Sequence, residues 1–162
     1  MATTLADVRD FLAQRRIAMI GVSRNPKDFS RMLFRDLCQR GYEMIAVNPT
    51  TREIENRPCF ASLQEIQPVP EAALLMTGST LTSQVVRDCA QAGIRHVWMY
   101  RAGGQGAVNE EAVQFCRENG IRLVEGHCPY MFLPHAALFH RFHGFMLKMF
   151  GRYPRECAGR AA

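Results

Sequence analysis

The sequence of 162 residues has no apolar run near the roughly 18 residues that a membrane-spanning helix needs. Asp7, Arg9 and Asp10 interrupt the first eleven residues, where a secretory signal would carry an unbroken apolar core. A soluble, cytoplasmic protein is the expectation. The six cysteines (Cys38, Cys59, Cys89, Cys116, Cys128, Cys157) never form C-x-x-C, which argues against a zinc ribbon or a disulfide framework and for buried thiols. His140 and His143 stand three apart, but no H-E-x-x-H or cysteine pair completes a ligand set, so no metal is expected. The G-K-[S/T] of a P-loop is missing, and no Ser-His-Asp order or carboxylate pair marks a catalytic centre. Nor does a helix-turn-helix pattern or an aromatic–basic RNA motif accompany the net charge of +5. Most of that charge comes from Arg141, Lys148, Arg152, Arg155 and Arg160 against the single Glu156, and it reads as a solvated face and tail, with no nucleic-acid partner.

What is present is ordinary globular material, 48% hydrophobic and 22% charged, in a length that suits one domain. A rhythm organises it. Three helix-like stretches end in Gly41, Gly93 and Gly120, and each glycine leads at once into a short apolar run: Tyr42–Val47, Ile94–Met99, Ile121–Val124. Glycine there accepts the left-handed conformation that closes a last helical turn. Two more apolar runs, Ile17–Val22 and Ala72–Met76, complete a set of five strands buried on both faces. Alternating helices and buried strands predict a doubly wound α/β fold with a mainly parallel five-stranded sheet. Start signals agree: Thr4; Asp28 or Ser30; a capping box at Ser62–Glu65; Thr80 or Thr82; and Asn109 followed by Glu110 and Glu111. Past Glu125 comes a proline-framed loop, and then an amphipathic helix over His135–Phe150. Its stripe from Leu138 to Met149 suits packing on the sheet or a homodimer. The expected organisation is one domain over 1–134, with a C-terminal helix and basic tail over 135–162.

In such folds ligands bind at the carboxyl ends of the strands, and phosphates sit at the first helix N-terminus, where amides are unpaired. Here the first strand runs into Gly21-Val22-Ser23-Arg24-Asn25-Pro26-Lys27. Gly21 permits a close turn, Ser23 and Asn25 can donate to phosphate oxygens, Arg24 and Lys27 bring charge, and Pro26 stiffens the loop. The dinucleotide fingerprint G-x-G-x-x-G is missing, because Ser23 and Pro26 replace its glycines. The second strand ends Val47-Asn48-Pro49, with no acid for an NAD ribose. That leaves room for a nucleotide with a phosphorylated ribose, with Arg52 or Arg24 as its partner.

The ordered set Gly-Val-Ser-x-x-Pro-Lys, Val47-Asn48-Pro49, His96-Val97-Trp98-Met99, Asn109-Glu110-Glu111-Ala112 and His127-Cys128-Pro129 resembles the small CoA-binding-domain proteins. These are similar to the N-terminal domain of the succinyl-CoA synthetase alpha subunit. The resemblance covers about residues 5 to 134. It implies a Rossmann-like domain that binds coenzyme A or acyl-CoA, with the phosphates across Gly21–Lys27. The nucleotide would approach Asn48, Pro49 and the loop at Thr77 and Gly78, with further contacts at Met99, Tyr100 and Arg101. In the synthetases this domain holds CoA while other domains do the chemistry, so a non-catalytic carrier, sensor or regulatory partner is expected. Two alternatives stand beside it: an acyl-CoA-handling enzyme using Cys128 or a histidine, and an NADP-binding redox protein. The chain departs from the family at Tyr100–Ala107, where three glycines replace the usual short loop.

Overall fold

The computed structural model describes residues 3–101 and 106–133. In chain order the elements are α1 (Leu5–Leu12), β1 (Arg16–Ile20), α2 (Phe29–Gln39), β2 (Glu43–Val47), β3 (Glu53–Ile54) and β4 (Arg57–Phe60). There follow β5 (Ala72–Leu75), α3 (Ser79–Ala92), β6 (His96–Met99), α4 (Glu110–Glu118) and β7 (Arg122–Glu125), with single 3-10 turns at Leu63–Glu65 and Pro129–Met131. The helix expected over His135–Phe150, its apolar stripe and the basic tail lie outside the described residues.

The strands form one sheet in the order β3-β4-β2-β1-β5-β6-β7, parallel throughout except for β3 against β4. Because β1 neighbours both β2 and β5, the chain reverses its direction of travel across the sheet there. In sheets of this topology ligands bind at such a reversal, outside the carboxyl ends of the two strands, here β1 and β5. Alternate strand residues feed two cores. On one face Ile17, Met19, Met44, Leu74 and Trp98 pack under Val8 and Phe11 of α1 and Leu33, Phe34 and Leu37 of α2. On the other, Ala18, Ile45, Leu75 and Val97 pack under Val86 and Cys89 of α3 and Ala112, Val113 and Cys116 of α4. Both faces are dry, as continuous apolar runs in a parallel sheet require.

Seven strands stand where five were expected. The five core strands fall on the five apolar runs, and the two extra form a hairpin at the sheet edge. Its strands are short and charged, and Pro58 pairs only with β3, ahead of the residues that join β4 to β2, so the hairpin lacks the alternation that marks a strand. Two helix starts also differ. Ser62 makes no capping bond to the backbone. Glu65 instead takes the Ala61 N–H and the Ser62 hydroxyl around a single 3-10 turn, and Pro68 and Pro70 forbid a longer helix. Helix α3 begins at Ser79 after Gly78, which leaves Thr82 inside it, fully buried and donating to Ala107 O at 2.8 Å. The caps at Thr4, Asp28 and Asn109 form as expected.

Candidate functional site

The site is built around the turn that leaves β1. Gly21 has φ +86°, a conformation that side-chain-bearing residues rarely adopt. It also lies against β5: a Cβ there would sit 3.0 Å from Thr77 Cγ2 and 3.1 Å from both Met76 C and Thr77 N. Glycine is thus required twice over, and the β1 turn and the β5 end close on each other at the switch point. The Thr77 hydroxyl oxygen is buried there without a hydrogen-bond partner among the described residues.

Beyond Gly21 the loop braces itself. Ser23 N–H donates to Ser30 Oγ (2.9 Å), Asn25 N–H to Ser23 Oγ (3.1 Å) and Lys27 N–H to Asn25 Oδ1 (3.0 Å). At the start of α2, Ser30 N–H and Ser30 Oγ–H both donate to Asp28 Oδ1, at 2.8 and 2.5 Å. The expectation of unpaired amides is met only in part: Ser30 N–H is taken by Asp28, while the Arg24 and Phe29 N–H groups have no acceptor among the described residues. The Asp28 carboxylate already occupies the helix N-terminus, the place the dipole favours for negative charge. Beside those two amides, side chains carry what remains available. The Ser23 hydroxyl proton and the Asn25 Nδ2 group have no acceptor, and the exposed side chains of Arg24 and Lys27 make no hydrogen bond or ion pair among the described residues.

Asn48, at the end of β2, is engaged on both sides. Its Nδ2 donates to Val22 O (2.8 Å), and its Oδ1 accepts from Thr50 N–H and Thr50 Oγ–H (both 2.8 Å). It ties the β2 end to the β1 turn. Pro49 and Arg52 are exposed beside it, and Arg52 makes no side-chain bond that joins it to the loop. The side chains of Val22 and Met99 are fully buried in the two cores, so these residues can offer a ligand only backbone. Gly78 is the exposed cap of α3.

Tyr100 leaves β6 on the α2 side and stacks on Phe29, with centroids 5.1 Å apart and planes at 20°; Tyr130 meets Phe29 edge-on at 5.8 Å. Burial raises the Tyr100 hydroxyl above its ordinary range, with Cys128 and Asp28 adding to the effect, and it takes Tyr130 to about 12. Through Phe29, which follows Asp28 in the chain, Tyr100 and Tyr130 meet beside the start of α2. The Cys128 thiol is buried and its pKa is pushed up by that burial. It stays protonated near neutrality, the opposite of an activated nucleophile. Arg101 rests on Gly126, where a Cβ would come within 2.9 Å of its Nη2. Next to it, His127 keeps a buried Nδ1 without a partner among the described residues, and burial followed by the Arg101 charge lowers its pKa.

The structure thus joins Gly21–Lys27, Asn48 and Thr77 directly, and brings Tyr100 alongside through Phe29. Sequence reasoning missed Arg31, Arg35 and Glu55. Arg31 and Arg35 lie one helical turn apart on α2, and Glu55 sits in the unforeseen hairpin, so nothing in the sequence pattern pairs them.

A doubly wound sheet with a tight glycine turn and a cation-bearing polar loop at its switch point defines a Rossmann-like α/β protein. The chain belongs to the CoA binding domain family, which matches residues 15–134. It is 30% identical over 124 residues to the uncharacterized protein YneT of Bacillus subtilis (strain 168), a match covering 76% of this chain and 89% of that protein. It is 26% identical over 135 residues to the ADP-forming acetate–CoA ligase II subunit alpha of Pyrococcus furiosus. That match covers 79% of this chain and 30% of the subunit, so the chain spans under a third of the ligase subunit. A solved structure of a hypothetical protein from Pyrococcus horikoshii OT3 superposes with a TM-score of 0.71 at 27% identity, over 78% of this chain and 87% of that one.

Proposed function

We propose that this protein binds coenzyme A or an acyl-CoA at the β1–β5 crevice and does no chemistry on it, serving as a carrier, sensor or regulatory partner. One observation carries the reading: the Gly21 turn is pressed onto Thr77, whose buried hydroxyl lacks a partner among the described residues, beside a braced loop whose Arg24 and Lys27 are unpaired among those same residues. Those residues fit a ligand with phosphates. Ser23, Arg24, Asn25 and Lys27 would hold the diphosphate, Thr77 and Gly78 would face it from β5, and Pro49 and Arg52 would lie toward the nucleotide. A preformed loop loses little conformational entropy on binding. The absence of catalysis is supported by Cys128, which burial keeps protonated.

Calorimetric titration with CoA, acetyl-CoA and NADP tests the reading. CoA and acetyl-CoA are expected to bind and NADP to bind far more weakly. Exchanging Arg24 and Lys27 together for alanine should weaken CoA by about tenfold or more, roughly 1.4 kcal/mol, and flatten its salt dependence. Unchanged CoA affinity in that double variant would place the ligand elsewhere. Preferential NADP binding would favour the redox alternative.

A further inference from the structure

The β3–β4 hairpin turns through Glu55 and Asn56, both at positive φ (52° and 56°). Two-residue hairpin turns of this kind normally use asparagine or aspartate followed by glycine. Glutamate is an unfavourable choice at such a position, and strain of this sort persists where the surroundings hold it in place. The surroundings here are two arginines of α2. Glu55 Oε1 accepts from Arg31 Nε at 2.8 Å and lies 2.5 Å from Arg31 Nη2; Arg35 Nη1 reaches the same oxygen at 3.1 Å. The remaining arms of both guanidinium groups run to the candidate ligand loop. Arg31 Nη1 donates to Ser23 O and Arg24 O, each at 3.2 Å, and Arg35 Nη2 donates to Pro26 O at 3.2 Å. Three successive stretches of the loop backbone are thereby fixed through a carboxylate on a different element.

Resting on the reading of the loop as the CoA phosphate site, we infer that Glu55 is its positioning residue. It orients Arg31 and Arg35 so that they grip the carbonyls of Ser23, Arg24 and Pro26 and turn the loop's ligand-facing groups outward. Arg31 and Arg35 are accordingly not phosphate ligands, although they lie beside the loop and carry the right charge. A salt-bridged pair of this type matters for geometry more than for net stability.

Electrostatics and positioning predict opposite signs. Removing a carboxylate near a phosphate site makes the local field more positive, so charge alone would tighten CoA binding in Glu55→Gln. Positioning requires the reverse, an affinity loss of about fivefold or more. Glu55→Gly is the second variant. It relieves the turn, so the unfolding midpoint should hold or rise, while CoA affinity should fall as it does in the glutamine variant. Amide hydrogen exchange without ligand supplies a readout independent of CoA. Ser23, Asn25 and Lys27 should exchange at least fivefold faster in both variants, with β1 amides unchanged. Tighter CoA binding, or loop exchange at the wild-type rate, overturns the positioning role. A wild-type protein that fails to bind CoA overturns the functional reading instead, and the exchange rates then decide the role of Glu55 alone.

Discussion

At the scale of single residues, the loop's character depends on which groups are already satisfied. Asp28 is the clearest case, because its carboxylate both caps α2 and lies among the groups that would meet phosphate. Asparagine caps as well as aspartate and carries no charge. Asp28→Asn should therefore leave stability near wild type while tightening CoA by about 0.3–1 kcal/mol, and Asp28→Ala should lose about 1 kcal/mol of stability with the cap. Paired chemical denaturation and titration check both. Gly21→Ala meets a strained backbone and fixed β5 backbone atoms together, and should cost about 1–3 kcal/mol. His127 makes a pH prediction. Its folded pKa lies below the ordinary 6.5, so the folded protein keeps it neutral while the unfolded chain takes up a proton near that value. Stability is fully present above about pH 6.5 and falls as the pH drops toward the lower folded value, by at most about 1.4 kcal/mol per pH unit for one proton. His127→Phe should flatten that part of the stability–pH curve relative to wild type.

At the scale of elements, the parts of the fold made by burial were visible in the sequence and the parts made by edge pairing were not. β1, β2, β5 and β6 are buried on both sides, and the outer strand β7 still carries Leu123 and Val124 directly after Ile121, so each shows as an apolar run after a recognisable turn. β3 and β4 lie at the sheet margin, where charge and Pro58 are tolerated and the strand pattern disappears. The ligand loop shows the same division. Its composition made it legible, but its wiring runs through Asn48, Arg31, Arg35 and Glu55, long-range contacts that local pattern does not encode. Helix α3 offers the element-level test. Hydroxyls favour helix starts, so the sequence pattern offers Thr80 or Thr82 as the cap. In the structure the Thr82 hydroxyl instead ties α3 to the carbonyl of Ala107, a buried residue just ahead of α4. Thr82→Val keeps the shape and orphans that carbonyl, a cost of about 1–3 kcal/mol that urea denaturation would register.

At the scale of the whole molecule, the topology supplies the crevice and the net charge of +5 supplies a general attraction for anions, and the two must be separated before binding can be called recognition. Folding and binding are linked: a ligand that binds only the folded chain, present at about a hundred times its dissociation constant, adds about 2.7 kcal/mol to unfolding. A non-specific cloud of charge has no such preference for one crevice and weakens steeply with salt, since the screening length falls to about 3 Å at 1 M. CoA should therefore raise the unfolding free energy by that amount, and by a large part of it in 1 M salt. Inorganic triphosphate, which is comparably charged, should give less at low salt and nothing at high salt. Equal stabilisation by the two at both salt concentrations would mean that the protein senses charge alone, and the crevice would then have no claim to CoA.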